Sequence, residues 1–129
     1  MELESTSNFE KTILDLAVKI GSLAKVEGVT TSQLEQIIAS LENSPDRRNS
    51  LLICAAYTKR QANRLRTGNR TAQAIIEAIK EIYLRNGGKE EARKLLGLAK
   101  WVRESLDDIR IHQAVNNFGE YLDLLLLKR

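Results

Sequence analysis

Apolar residues recur along this chain at steps of three and four, the period of an α-helix. Nowhere do they alternate with period two for long enough to make a strand. From Asn8 to Val26 the stripe is Phe9, Ile13, Leu16, Ala17, Ile20, Leu23 and Ala24. Ser7 and Glu10 have the spacing of a capping box at its start, and Gly28 stops it. A shorter helix is expected over about 32–42, capped by Thr31 and carrying Leu34, Ile37, Ile38 and Leu41. Asn43-Ser44-Pro45-Asp46 breaks the pattern, and Pro45 suits the first turn of a third helix over about 46–66. A fourth, over about 71–85, turns Ile75, Ile79, Ile82 and Tyr83 inward and ends at Asn86-Gly87-Gly88. The fifth begins at Lys89 and carries Ala92, Leu95, Ala99, Val102, Leu106 and Ile109. The sixth, over about 113–127, puts Val115, Phe118, Leu122, Leu125 and Leu126 inside. Short loops favour antiparallel neighbours. The expectation is all-α: a compact bundle of five to six antiparallel helices, one domain over 1–129.

Composition narrows the chemistry. A chain of 129 residues can bury a single core, and 43% hydrophobic residues exclude a disordered segment. A lone Cys54 leaves no intramolecular disulfide and no multi-cysteine zinc site, and a lone His112 leaves no histidine pair for a metal. No apolar run approaches the ~20 residues of a membrane span, and the acidic start Met1-Glu2-Leu3-Glu4 is the wrong charge for a signal peptide. The expectation is a cytoplasmic protein with no membrane partner.

No catalytic constellation emerges. His112 sits at a helix boundary with no nucleophile beside it. Cys54, between Leu51-Leu52-Ile53 and Ala55-Ala56, reads as a buried small hydrophobe. Asp107-Asp108 and Glu90-Glu91 are helix neighbours about 100° apart and form no dyad, and the second pair suits a helix start. Gly68 and Gly87-Gly88 are helix terminators without phosphate-loop spacing. Catalytic residues, cofactors and metals are therefore all expected to be none.

Charge changes the picture. The net +3 is uneven: residues 1–46 carry −5, residues 71–129 carry +1, and residues 47–70 carry +7 with no acid among them. Those seven bases are Arg47, Arg48, Lys59, Arg60, Arg64, Arg66 and Arg70. On a helical wheel Lys59, Arg60, Asn63, Arg64 and Arg66 lie opposite Leu51, Cys54, Ala55, Thr58, Ala62 and Leu65, with Arg48 at the near edge. Arg60 and Arg64 stack at four residues and repel each other. An uncompensated cationic row is the footprint of a polyanion. Asn69, Arg70 and Thr71 open the fourth helix, where free backbone N–H groups favour an anion. The candidate nucleic-acid-binding set is thus Arg47, Arg48, Lys59, Arg60, Arg64, Arg66, Asn69 and Arg70. Tyr57 is expected inward, and Trp101 is expected as a partly exposed indole.

Two other readings stay open. In one, the basic face docks an acidic protein, or the acidic first helix (Glu10, Asp15, Glu27) pairs head-to-tail with the basic third helix of another copy. In the other, the second and third helices form a DNA-reading helix-turn-helix, although four residues intervene and the bases lie in the C-terminal half of the third helix.

Val29-Thr30-Thr31-Ser32-Gln33-Leu34 opens a short helix, a long helix with Ala55-Ala56-Tyr57 and Arg60 follows, and then an Ile/Ala-rich helix. This order, over roughly residues 26–106, resembles the small helical Csm-type subunit of type III CRISPR effector complexes. The resemblance implies a non-enzymatic helical bundle that stacks along the effector beside its backbone and large subunits and neighbouring copies of itself. It also implies contact with the duplex of crRNA and target RNA through Lys59, Arg60 and Arg64. Base pairing would supply specificity there, leaving backbone contacts to the protein.

Overall fold

The computed structural model describes the backbone of residues 2–127 and the side chains of residues 8–127. Its helices are α1 (Glu2–Glu27), α2 (Thr31–Ser40), a 3-10 turn (Leu41–Asn43), α3 (Asn49–Leu65), α4 (Asn69–Leu84), α5 (Lys89–Ser105) and α6 (Phe118–Leu125). The described residues contain no strand, so the fold is an all-α bundle.

Local chemistry sets the helix limits. The α1 helix runs through Ser7, so the capping box expected at Ser7 and Glu10 does not start it. Thr30, not Thr31, caps α2: its hydroxyl accepts the Gln33 N–H at 3.1 Å while Gln33 Oε1 accepts the Thr30 N–H at 2.9 Å. Pro45 stays in the loop, and α3 starts four residues after it. Asp46 prepares that start, its carboxylate accepting the N–H groups of Arg48 and Asn49, each at 2.8 Å. At the other end Arg66 adopts a left-handed conformation (φ 56°) and returns its N–H to Ala62 O. Gly68 follows at φ 74°, where a Cβ would also meet Val29 Cγ2 at 2.7 Å. That pair of left-handed residues turns the chain straight into α4.

The core lies between α1 and the other helices. Ile13, Ala17, Ile20, Leu23 and Ala24 of α1 meet Ile75, Ala78, Ile79 and Ile82 of α4 and Ala92, Leu95, Leu96 and Ala99 of α5. Leu34, Ile37, Leu41, Leu51 and Cys54 close the α2–α3 side. The α4 helix runs against α1, since Glu27 at the end of α1 meets Thr71 at the start of α4, but α1 and α5 run in the same direction, as Glu10–Lys94 at one end and Lys25–Asp107 O at the other require. Their axes approach closely because Gly21 faces α5: a Cβ there would lie 2.6 Å from both Ala99 O and Val102 Cβ.

The sixth helix departs most from expectation. Residues 106–117 are irregular, so α6 is only eight residues long. Asn117 caps it by accepting the Glu120 N–H at 2.9 Å. Tyr121 and Leu124 pack onto Val18, Val102 and Leu106, while Phe118, Leu122, Leu125 and Leu126, expected inside, are exposed. Tyr83 of α4 is also outward and 52% exposed. Its place at the edge of the stripe lets Arg48 lie over its ring, 4.2 Å from the centroid.

Candidate nucleic-acid interface

Seven bases adjacent in sequence separate into two groups in space. Arg47 pairs with Glu90 at 3.2 Å and with Glu91 at 3.3 Å, at the start of α5. Arg48 donates to the carbonyls of Tyr83 (3.0 Å) and Gly87 (2.8 Å), capping the C-terminal end of α4. Both guanidinium groups are therefore spent on joining α3 to the α4–α5 turn. The Arg47 side chain nevertheless remains about half-exposed.

Lys59, Arg60, Arg64, Arg66 and Arg70 are exposed, and among the described residues none has a carboxylate within ion-pair distance. The contrast with α5 decides what this means. Every cation of α5 is paired: Lys89 and Arg93 with Glu42, Lys94 with Glu10, Lys100 with Glu35, and Arg103 with Asp107. Consistent with this, the Arg93 and Lys100 side chains are held above their ordinary pKa by hydrogen bonds to Glu42 and Glu35. The acids that pair with α5 come from α1, α2, the 3-10 turn and the turn that follows α5. Lys19, Lys80 and Arg110 also lack an ion pair among the described residues, but five unpaired cations cluster where α3 ends and α4 begins.

A shallow cleft of about 360 Å³ runs between these two segments, lined by Lys59, Asn69, Gln73, Ile76 and Glu77 among others. Its one carboxylate, Glu77, accepts a hydrogen bond from the Gln73 amide at 3.1 Å. A second cleft, about 400 Å³, opens across α4 and is lined by Arg70, Lys19, Gln73, Glu77, Gln113 and Asn116 among others.

The expected anion site at the start of α4 is already filled. Glu27, at the end of α1, accepts the Thr71 N–H at 2.7 Å, the Thr71 hydroxyl at 2.6 Å and the Arg70 N–H at 3.2 Å. Its carboxylate takes the place of the expected ligand there. Asn69 keeps its position beside the cleft, and Arg70 contributes its side chain alone. The other acids assigned to α1 are likewise engaged: Glu10 with Lys94, and Asp15 with Lys11 and the Phe118 N–H.

The remaining candidates resolve simply. Cys54 is fully buried, and burial pushes its thiol up from the ordinary value. Tyr57 is half-buried, and its hydroxyl reaches Gln36 Oε1 at 3.5 Å. His112 is exposed, and Trp101 is 68% exposed. No group of three or more His, Cys, Asp or Glu gathers among the described residues to hold a metal, and no described helix is long and apolar enough to cross a membrane. The α2–α3 connection spans a 3-10 turn and five further residues, longer than a helix-turn-helix allows. Sequence reasoning missed Gln73 and Lys19, which enter the site only because α4 and α1 pack beside it; nothing in their local pattern marks them.

No protein-family model, curated protein or solved structure matches this chain.

Proposed function

We propose that this chain is a non-catalytic nucleic-acid-binding subunit that grips a phosphate backbone with the C-terminal half of α3 and the start of α4. The observation carrying this reading is the unneutralised set Lys59, Arg60, Arg64, Arg66 and Arg70, in a molecule whose other basic helix is fully paired. Together with the sequence resemblance, this supports the small subunit of a type III CRISPR effector complex. In that setting the ligand is crRNA paired with target RNA, and the backbone and large subunits are its neighbours. Contacts to phosphate position such a protein and leave sequence to base pairing.

Charge reversal tests it. Fluorescence anisotropy with a labelled RNA duplex should show the Arg60→Glu/Arg64→Glu variant binding at least roughly tenfold more weakly. Unchanged affinity removes the surface from the proposal.

A second reading, an adaptor that binds protein and no nucleic acid, is favoured by the exposed apolar side chains Leu52, Trp101 and Leu126, at 72%, 68% and 79% exposure. Random-site selection that enriches a DNA sequence would instead support a regulator.

A further inference from the structure

The seam between α3 and α4 holds two grooves, and Ile76 lies in the wall of both. One is the cleft beside Lys59 described above. The other, about 490 Å³, lies between the first half of α3 and the second half of α4. Its volume falls within the roughly 300–1,000 Å³ of small-molecule sites, and its walls have their usual make-up: mostly apolar, with a few polar groups. Those groups are not scattered. Arg48 opens α3 and lies over Tyr83 near the end of α4, with Lys80 one turn before it, whereas Leu52, Ala55 and Ile76 line the part toward Lys59. The groove thus has a cationic end and an apolar end.

The cationic end lacks an anion. No carboxylate lines the groove. Lys80 is exposed and has no ion pair among the described residues. The acids nearest it on α4 are turned to other partners, Glu77 to the Gln73 amide and Glu81 to Arg85. Arg48 commits Nη1 to the Tyr83 and Gly87 carbonyls, which leaves its positive charge uncompensated by any carboxylate. The apolar end is open to water, with Leu52 72% exposed.

Size decides the kind of occupant. A stable protein interface engages about 20–30 residues a side, and nine line this groove. From Tyr83 back to Ile76 the wall rises about 10 Å at 1.5 Å per residue. We infer that the groove binds a medium-chain alkyl carboxylate, its head at Lys80 and Arg48 and its chain along Leu52, Ala55 and Ile76. Burial of the chain supplies the attraction, and the uncompensated cations set its direction. The inference does not rest on the nucleic-acid reading, since neither Leu52 nor Lys80 belongs to the surface proposed for phosphate.

Titration calorimetry of the full chain with decanoate tests it. Acetate supplies the head without the chain, and decyltrimethylammonium the chain with the opposite charge. Decanoate should bind one to one with saturation below about 1 mM, and the other two at least roughly tenfold more weakly. Lys80→Glu and Leu52→Glu should each weaken decanoate about tenfold or more, with circular dichroism confirming the fold. Lys80→Gln, which removes the charge alone, carries the test if Leu52→Glu unfolds. Leu126→Glu, at an exposed apolar position elsewhere, should bind decanoate like the wild type. Absence of saturation below about 1 mM overturns the inference and leaves the groove to a protein partner. Equal binding of the cationic probe, Lys80 variants that bind like the wild type, or loss of binding in Leu126→Glu overturns it as well.

Discussion

Arg48 and Arg60 are the same residue type twelve positions apart on one rod, yet they do opposite work. Arg48 satisfies two carbonyls that the end of α4 leaves open and lies over Tyr83. Arg60 meets nothing among the described residues. Arg48→Ala should therefore lower unfolding free energy by about 1–2 kcal/mol and leave RNA affinity nearly unchanged. Arg60→Glu should do the reverse. Chemical denaturation and anisotropy on both variants separate the roles, and a parallel response would contradict the division. The sequence alone shows both arginines as members of one acid-free stretch. Their difference depends on Gly87 and Tyr83, which lie 39 and 35 residues from Arg48 and come near only through the α3–α4 packing. Asp46 offers a pH test at the same scale. Its carboxylate lies below its ordinary value of 3.8 because the Asn49 and Arg48 N–H groups bond the charged form. A carboxylate depressed by folding stabilises fully above its ordinary value, and loses that contribution as pH falls through its folded value. Asp46→Ala should thus melt below the wild type at neutral pH, with the gap narrowing below pH 3.8. A gap that is constant with pH counts against the assigned role.

Helix periodicity is a strong guide where one face is buried and a weak one where an element is short. Apart from Tyr83, the stripes of α1, α4 and α5 lie where a three-to-four spacing puts them, with Ile20, Ile75, Ile82, Leu95 and Ala99 fully enclosed. Residues 117–127 are apolar almost all round, so several rotations satisfy the pattern equally. Packing onto Val18, Val102 and Leu106 selects Tyr121 and Leu124, and turns the four expected core residues outward. Loop length suggests antiparallel neighbours, which holds for α3 and α4, joined by a three-residue turn. It says nothing of α1 and α5, which are not consecutive. At Gly21 the two helices leave no room for a Cβ, which would lie 2.6 Å from Ala99 O. Gly21→Ala should force the helices apart and cost about 1–3 kcal/mol of stability, even though alanine is the better helix former. Denaturant titration checks this, and a stabilised variant would show that the contact is not tight.

For the whole molecule, what matters is where seventeen acids and twenty bases end up. The +7 stretch is visible in the sequence, but which of its members are neutralised is not. The acids that hold Arg47 come from α5, and the acid that fills the start of α4 comes from α1. After folding, the cations of α5 are compensated and those at the α3–α4 corner are not. The central claim is that this corner carries a phosphate backbone, and the salt dependence of RNA affinity tests it most directly. If Lys59, Arg60, Arg64, Arg66 and Arg70 each release one counterion, log affinity against log salt should fall with a slope of about −3.5 for single-stranded RNA and more steeply for a duplex. The Arg60→Gln/Arg64→Gln variant should be shallower by roughly 1.5 to 2. A wild-type slope near zero, or an identical slope in the two proteins, would contradict the account.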